Sequence, residues 1–306
     1  MKYLMLLFFY FYLSPLSSLQ NEYRSVNGNI KSIKIKYITP SYKKAKIVFE
    51  KINSEYEIKM EGKRIVEEAE KKNGEEIVNY RKYSYITTPQ GISAYCSQKI
   101  DEERKSEEKS IEYLCERYIK KISEIKIEKI KDGTAFKTYF LIKKEKSDDV
   151  LIYDMDDNFM EKEIYNYGEQ GELKEKITYN DLGDMIYRVS YESPSKLLRY
   201  IKTYNSNNNI IDIMKEERRI DGTLRKKIFT KYTFSGNLDS RVETFYNERG
   251  IKEEEKYYDS NEMIYKNYVF EYETDEKGNW IKEFKYLKKE GNKKFLETIV
   301  VREIVY

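Results

Sequence analysis

The chain has 306 residues, 36% of them charged, yet 57 Lys and Arg nearly cancel 54 Asp and Glu, leaving a formal charge of +3. Such interspersed signs exclude a concentrated basic footprint for nucleic acid. The absence of histidine removes the commonest general base and metal ligand, while 31 tyrosines against 4 prolines favour half-buried sheet, where the ring packs and the hydroxyl reaches water.

The chain opens with Lys2, an apolar run from Leu4 to Leu13, and the segment Ser14–Pro15–Leu16–Ser17–Ser18. This order predicts a signal peptide over residues 1–18, because a run of ~10 apolar residues falls short of the ~20 that a membrane span needs. An uncleaved anchor is the alternative. Export to an oxidising compartment makes the only cysteine pair, Cys96 and Cys115, a candidate disulfide. Two buried free thiols are the other reading, and a catalytic Cys has no His to activate it.

Strands are predicted at Asn29–Ile38, Ala45–Ile52, Glu55–Met60, Lys63–Glu70 and Glu75–Thr87, separated by Asn- and Gly-containing breaks. One amphipathic helix is predicted from Ser106 to Ile122. There Ile111, Leu114, Cys115, Tyr118, Ile119 and Ile122 share a face. Glu124–Ile130 and Thr134–Lys143 flank Asp132–Gly133 and read as a hairpin. A break near Lys146–Asp149 divides a β-rich region, 19–146, from a repeat region, 147–306.

The repeat is a Tyr, a Gly four residues on, and an apolar residue two beyond, as in Tyr167–Gly171–Leu173, Tyr179–Gly183–Met185 and Tyr232–Gly236–Leu238. Frame starts fall at Tyr153, Tyr167, Tyr179, Tyr191, Tyr204, Arg218, Tyr232, Tyr246, Tyr258, Tyr272 and Tyr286. They mark about eleven units of roughly 12–14 residues, each with room for one strand and one turn. Asn180–Asp181–Leu182–Gly183 is turn chemistry, because Gly supplies positive φ and Asn tolerates it. Strand and tight turn in alternation predict a mainly β fold, an antiparallel meander forming a curved sheet, with one helix in the N-terminal half.

Tyr272-Glu-Thr-Asp-Glu-Lys-Gly278-Asn279-Trp280 and Tyr179-Asn-Asp-Leu-Gly183 resemble the Tyr-Asp-x-x-Gly-Asn phrase of YD-repeat (RHS-like) bacterial proteins, over about residues 153–290. The resemblance implies an exported bacterial protein whose curled sheet serves as a scaffold.

Few side chains single themselves out for chemistry. Asp154, Asp156, Asp157 and Asn158 alternate like the opening of a calcium loop. Phe159 and Tyr165 then stand where Gly and Glu are required, so the segment reads as a turn. Trp280, the only Trp, follows a turn and is a candidate ligand contact, with packing as the alternative. No catalytic, cofactor-binding or metal residue is assigned.

The expectation is an exported, non-catalytic β-repeat scaffold or binding protein of the bacterial cell envelope, in the periplasm or at the cell surface. Its partner would be a protein or glycan on the sheet surface, with no nucleic acid and no membrane span after signal removal. The alternative is a periplasmic lipid or lipoprotein carrier, its curved sheet enclosing an apolar groove.

Overall fold

A computed structural model describes residues 30–43, 46–62, 64–72, 76–103, 110–130, 135–154 and 156–306. The predicted signal peptide lies outside them. Strands β1 (Ser32–Lys43), β2 (Lys46–Glu61), β3 (Arg64–Lys72) and β4 (Glu76–Ile86) lead into helices α1 (Pro89–Glu103) and α2 (Ser110–Tyr118). Next come β5 (Ile122–Lys129), β6 (Ala135–Lys143), β7 (Ser147–Tyr153), β8 (Phe159–Tyr167), β9 (Leu173–Asn180) and β10 (Met185–Ser195). Strands β11 (Leu198–Asn205), β12 (Ile210–Arg218), β13 (Leu224–Tyr232) and β14 (Leu238–Tyr246) continue the series. The last four are β15 (Lys252–Tyr258), β16 (Ile264–Thr274), β17 (Trp280–Lys288) and β18 (Lys294–Val305).

Successive strands pair antiparallel in one 18-stranded sheet. The first strand also pairs with the last, from Ser32↔Val305 to Ile38↔Ile299. The ladder is therefore a closed 18-strand barrel, and the expected open curved sheet is corrected. Strand alternation reveals each hairpin, but a pairing between the two ends of a chain has no local signature.

From Asp154 onward the turns repeat one geometry, except at the β10–β11 and β17–β18 connections. After β13, the Thr233 amide donates to the Asn237 carbonyl at 2.8 Å and the Gly236 amide to the Thr233 carbonyl at 2.9 Å. The ladder slips one register there, between Lys231 and Tyr232. This is a type I turn closed by a left-handed residue, the common longer β-hairpin connection. Gly236 has φ +83°, and the same place in other turns is taken by Asp157, Asn208 and Glu262 at +62°, +64° and +62°. The side chain opening the turn reinforces it: Asn180 Oδ1 accepts from the Asp184 amide at 2.7 Å. The predicted frame departs from this geometry in three places. β10 runs through the Tyr191 frame to a tight turn pairing Ser195 with Leu198. Past Tyr272 and Tyr286 the left-handed residues are Gly278 and Gly291.

Among the described residues two α-helices stand where one was predicted. The start of the predicted stretch, 106–109, lies outside the described residues; its helix ends at Tyr118, and Ile122 instead begins β5. The Pro89–Gln90–Gly91 start of α1 resembles a loop. In the structure Pro89 opens the helix, where its missing N–H is no loss, and Thr88 Oγ1 accepts from the Gly91 amide at 3.1 Å. In the N-terminal region the two predicted strands around Asn53–Ser54 are a single β2. The polar pair sits at a bulge, with Tyr37 opposite Ser54 and Ile38 opposite Ile52.

Two compact units divide the chain. The first, containing the described residues up to Val78 with Tyr272–Phe284 and Ile299–Tyr306, centres on Ile30, Ile33, Ile35, Ile58 and Val300. The second, Asn79–Glu271 with Lys285–Thr298, has its core where the helices cover β5–β7. There Ile92, Cys96, Ile111, Leu114 and Cys115 meet Ile125, Phe140 and Tyr153. Cys96 and Cys115 form a disulfide joining α1 to α2, with Cα atoms 5.5 Å apart.

Candidate functional site: a cationic, tyrosine-lined cleft

Directly opposed residues of an antiparallel pair share a face, so register assigns the two faces of β8–β12 in the second unit. One face carries Tyr165, Lys176, Val189, Thr203 and Asp212 across successive strands. The other carries Ile164, Ile177, Arg188 and Tyr204. Every residue of β8 and of β12 is half-buried, so neither strand alternates between a dry and a wet face.

The first face is organised around Lys176. Its Nζ lies 2.6 Å from Glu163 and over the rings of Tyr165 and Tyr187, at 5.4 and 5.8 Å. Tyr165 Oη donates to Glu163 at 2.6 Å. Burial opposes the charge on Lys176, yet Glu163 leaves the ammonium held above its usual range. Burial likewise raises the Tyr165 hydroxyl, and Glu163 raises it further. This cluster is saturated with its own partners and offers no reactive group.

Further along the same face lies an open cleft of about 330 Å³, lined by Glu172, Leu173, Lys174, Tyr191, Ser193, Arg199 and Arg218. The end of β8's turn and the start of β9 supply Glu172 and Lys174, β10 supplies Tyr191 and Ser193, and β11 and β12 supply the arginines. The cations are unequally engaged. Lys174 holds Glu172 at 2.9 Å, which keeps that carboxyl below its usual range. Arg218 donates to Glu216 at 2.9 Å and to the Gly222 carbonyl at 3.1 Å. Arg199, directly opposite Glu216 in the ladder, reaches it only at 4.0 Å and lies 5.5 Å from the Tyr191 ring centroid. Two guanidiniums thus share one carboxylate, leaving a surplus of positive charge in the cleft.

The residues singled out from sequence are elsewhere. Trp280 is half-buried in the first unit, against Tyr272 at 6.0 Å and beneath the Arg302 guanidinium at 3.4 Å. Asp154 Oδ1 accepts from the amides of Asp156 and Asn158, both at 2.9 Å, as in a capped turn. Asp157 pairs with Lys99 at 2.7 Å. Among the described residues no three His, Cys, Asp or Glu converge as a metal site. The cleft residues went unremarked in the sequence, although Tyr191 and Arg218 both occupy frame-start positions. The shared frame position was no signal for the cleft, since Arg218 ends β12 while Tyr191 lies within β10.

No family model matches the chain, and no curated protein matches it. Among solved structures it is similar to a porin-like protein from Bacteroides uniformis, at 9% identity and TM-score 0.42, over 90% of this chain and 98% of that one. A porin-like protein from Bacteroides vulgatus is similar at 12% identity and TM-score 0.34, over 60% and 94%. A TcdB2–TccC3–TEV structure matches at 11% identity and TM-score 0.18, over 85% of this chain and 15% of that one. These likenesses are too loose to bear on function.

Proposed function

We propose that the chain is an exported, non-catalytic β-barrel binding protein of the bacterial cell envelope, working in water rather than as a lipid-spanning pore. The observation that carries this is ionic pairing at mid-strand on both faces of the second unit. Lys176–Glu163 at 2.6 Å lies on one face; Arg188–Glu175 at 3.3 Å and Lys226–Glu243 at 3.1 Å lie on the other. A barrel in a bilayer presents an apolar band about 25 Å tall, and each Lys or Arg at its middle costs about 2–4 kcal/mol. Whichever face points outward, it is charged. The same ion pairs interrupt both faces between β8 and β14 with charge, which weighs against a lipid groove along these strands.

Export is supported by the Lys2 and Leu4–Leu13 pattern. The absence of histidine and the saturated state of the Lys176 cluster support a role in binding rather than catalysis. The test is flotation with phospholipid vesicles after detergent-free purification. Protein left at the bottom of the gradient, with no conductance in a planar bilayer, is expected. Co-flotation that resists carbonate extraction would overturn the reading.

A further inference from the structure

We infer that the cleft at Tyr191, Ser193, Arg199 and Arg218 binds a small carboxylated sugar, a uronate of one or two rings. This deepens the reading of the chain as a binding protein. Vesicle flotation tests the aqueous barrel and ligand titration tests the cleft, so the two fail separately.

Charge selects the anion. Lys174 and Glu172 neutralise one another at 2.9 Å, whereas among the described carboxylates Arg199 and Arg218 have only Glu216 between them, at 4.0 and 2.9 Å. Arg199 makes no hydrogen bond to a described residue, so its planar fork of N–H donors is available to a carboxylate, which it fits in a bidentate way. Arg218 is already fixed by Glu216 and the Gly222 carbonyl and supplies a second, immobile positive charge beside it. Rigid placement matters because little side-chain freedom is then lost on binding.

The rest of the lining selects a hydroxylated ring rather than a bare inorganic anion. Tyr191 offers an aromatic surface and a hydroxyl, Ser193 a second hydroxyl, and Leu173 an apolar wall. Aromatic surface with hydroxyl groups suits a sugar, whose C–H face packs and whose hydroxyls exchange hydrogen bonds. The volume of about 330 Å³ lies at the small end of ligand sites.

The experiment is calorimetric titration of the full chain with digalacturonate, with the neutral disaccharide galactobiose, and with inorganic phosphate. Digalacturonate is expected to bind at least about tenfold more tightly than either of the others, and Arg199→Gln to weaken it by about tenfold or more. Lys294→Gln, at a distant exposed lysine paired with Glu271, should leave it unchanged. On the unaltered chain, amide chemical-shift changes with digalacturonate should centre on Lys174, Ser193 and Arg199, which keeps the proposal testable if the arginine variant does not fold. Equal affinity for phosphate or galactobiose, shifts centred elsewhere, or full affinity in a folded Arg199→Gln protein overturns it.

Discussion

The amide of Lys31 donates to the carbonyl of Val305 at 2.8 Å, at the edge of the pairing that joins the first strand to the last. Further along β1, Ile35 stands opposite both Tyr56 of β2 and Arg302 of β18, with only 1% of its surface exposed. The joint between chain ends is thus a packed core and not merely a row of backbone bonds.

Ile35→Ala removes buried apolar volume from this joint and is expected to cost about 3 kcal/mol. Removing residues 299–306 leaves β1 and the truncated β18 with unpaired edges, which favours association between chains. Urea unfolding should show the first effect as a lower midpoint. Size-exclusion chromatography should show the second as soluble aggregate, and a stable monomer after truncation would contradict the closure.

The disulfide ties α1 to α2 across a sequence separation of 19. Reducing it, or making Cys96→Ser with Cys115→Ser, should cost roughly 3 kcal/mol by the chain-entropy relation for a loop of that size. Thermal unfolding monitored by circular dichroism with and without reductant measures this directly. An unchanged melting temperature would count against a structural role for the bridge.

Gly236 has φ +83°, and a Cβ built there meets nothing within 4 Å. The cost of Gly236→Ala is therefore purely a matter of backbone conformation, about 1–2 kcal/mol. Glu262 occupies the equivalent turn position at φ +62°. Glu262→Gly relieves its strain while losing the Arg241 contact at 3.3 Å, for a small net gain of about 0.5 kcal/mol. Equilibrium unfolding of the two variants should shift in opposite directions.

Several tyrosines ionise late. Burial, with nearby Glu297 and Glu255 carboxylates, pushes Tyr268 up to about 12 from 10.0. Burial raises Tyr139, Tyr165 and Tyr257 further. A folded-state value above the unfolded one means that the folded chain holds the proton more tightly. The stability this contributes is complete below about pH 10 and is lost as pH rises through the folded value near 12 for Tyr268. Alkaline titration followed at the tyrosinate absorbance band should show a delayed, cooperative step coincident with loss of β-sheet signal. Smooth, unshifted titration of all tyrosines would be inconsistent with their burial.

The hairpin turns were legible because their determinants are local. Gly183 and Gly236 supply positive φ, and Asn180 and Asn247 accept amides within their own turns, Asn247 Oδ1 from Ile251 at 3.0 Å. Helix α2 was legible through its apolar face, though not its end, because the same periodicity ran on into Ile122, which β5 claims. Helix α1 was missed because Pro89 and Gly91 favour loops when read without their neighbours. The cleft was missed for a different reason. Arg199 and Arg218 are unremarkable among 57 basic residues, and nothing in their sequence positions reveals that they share Glu216.

By itself the amino-acid sequence determined the rhythm of strand and turn, since turn stereochemistry and alternation act over a few residues. Tertiary structure alone decided that the meander closes, that β1 lies beside β18, and that Tyr191, Ser193 and the two arginines line one cleft. Those outcomes depend on pairing between distant segments. Such pairing is selected by burial and hydrogen bonding along the whole ladder and leaves no mark in any single stretch of chain.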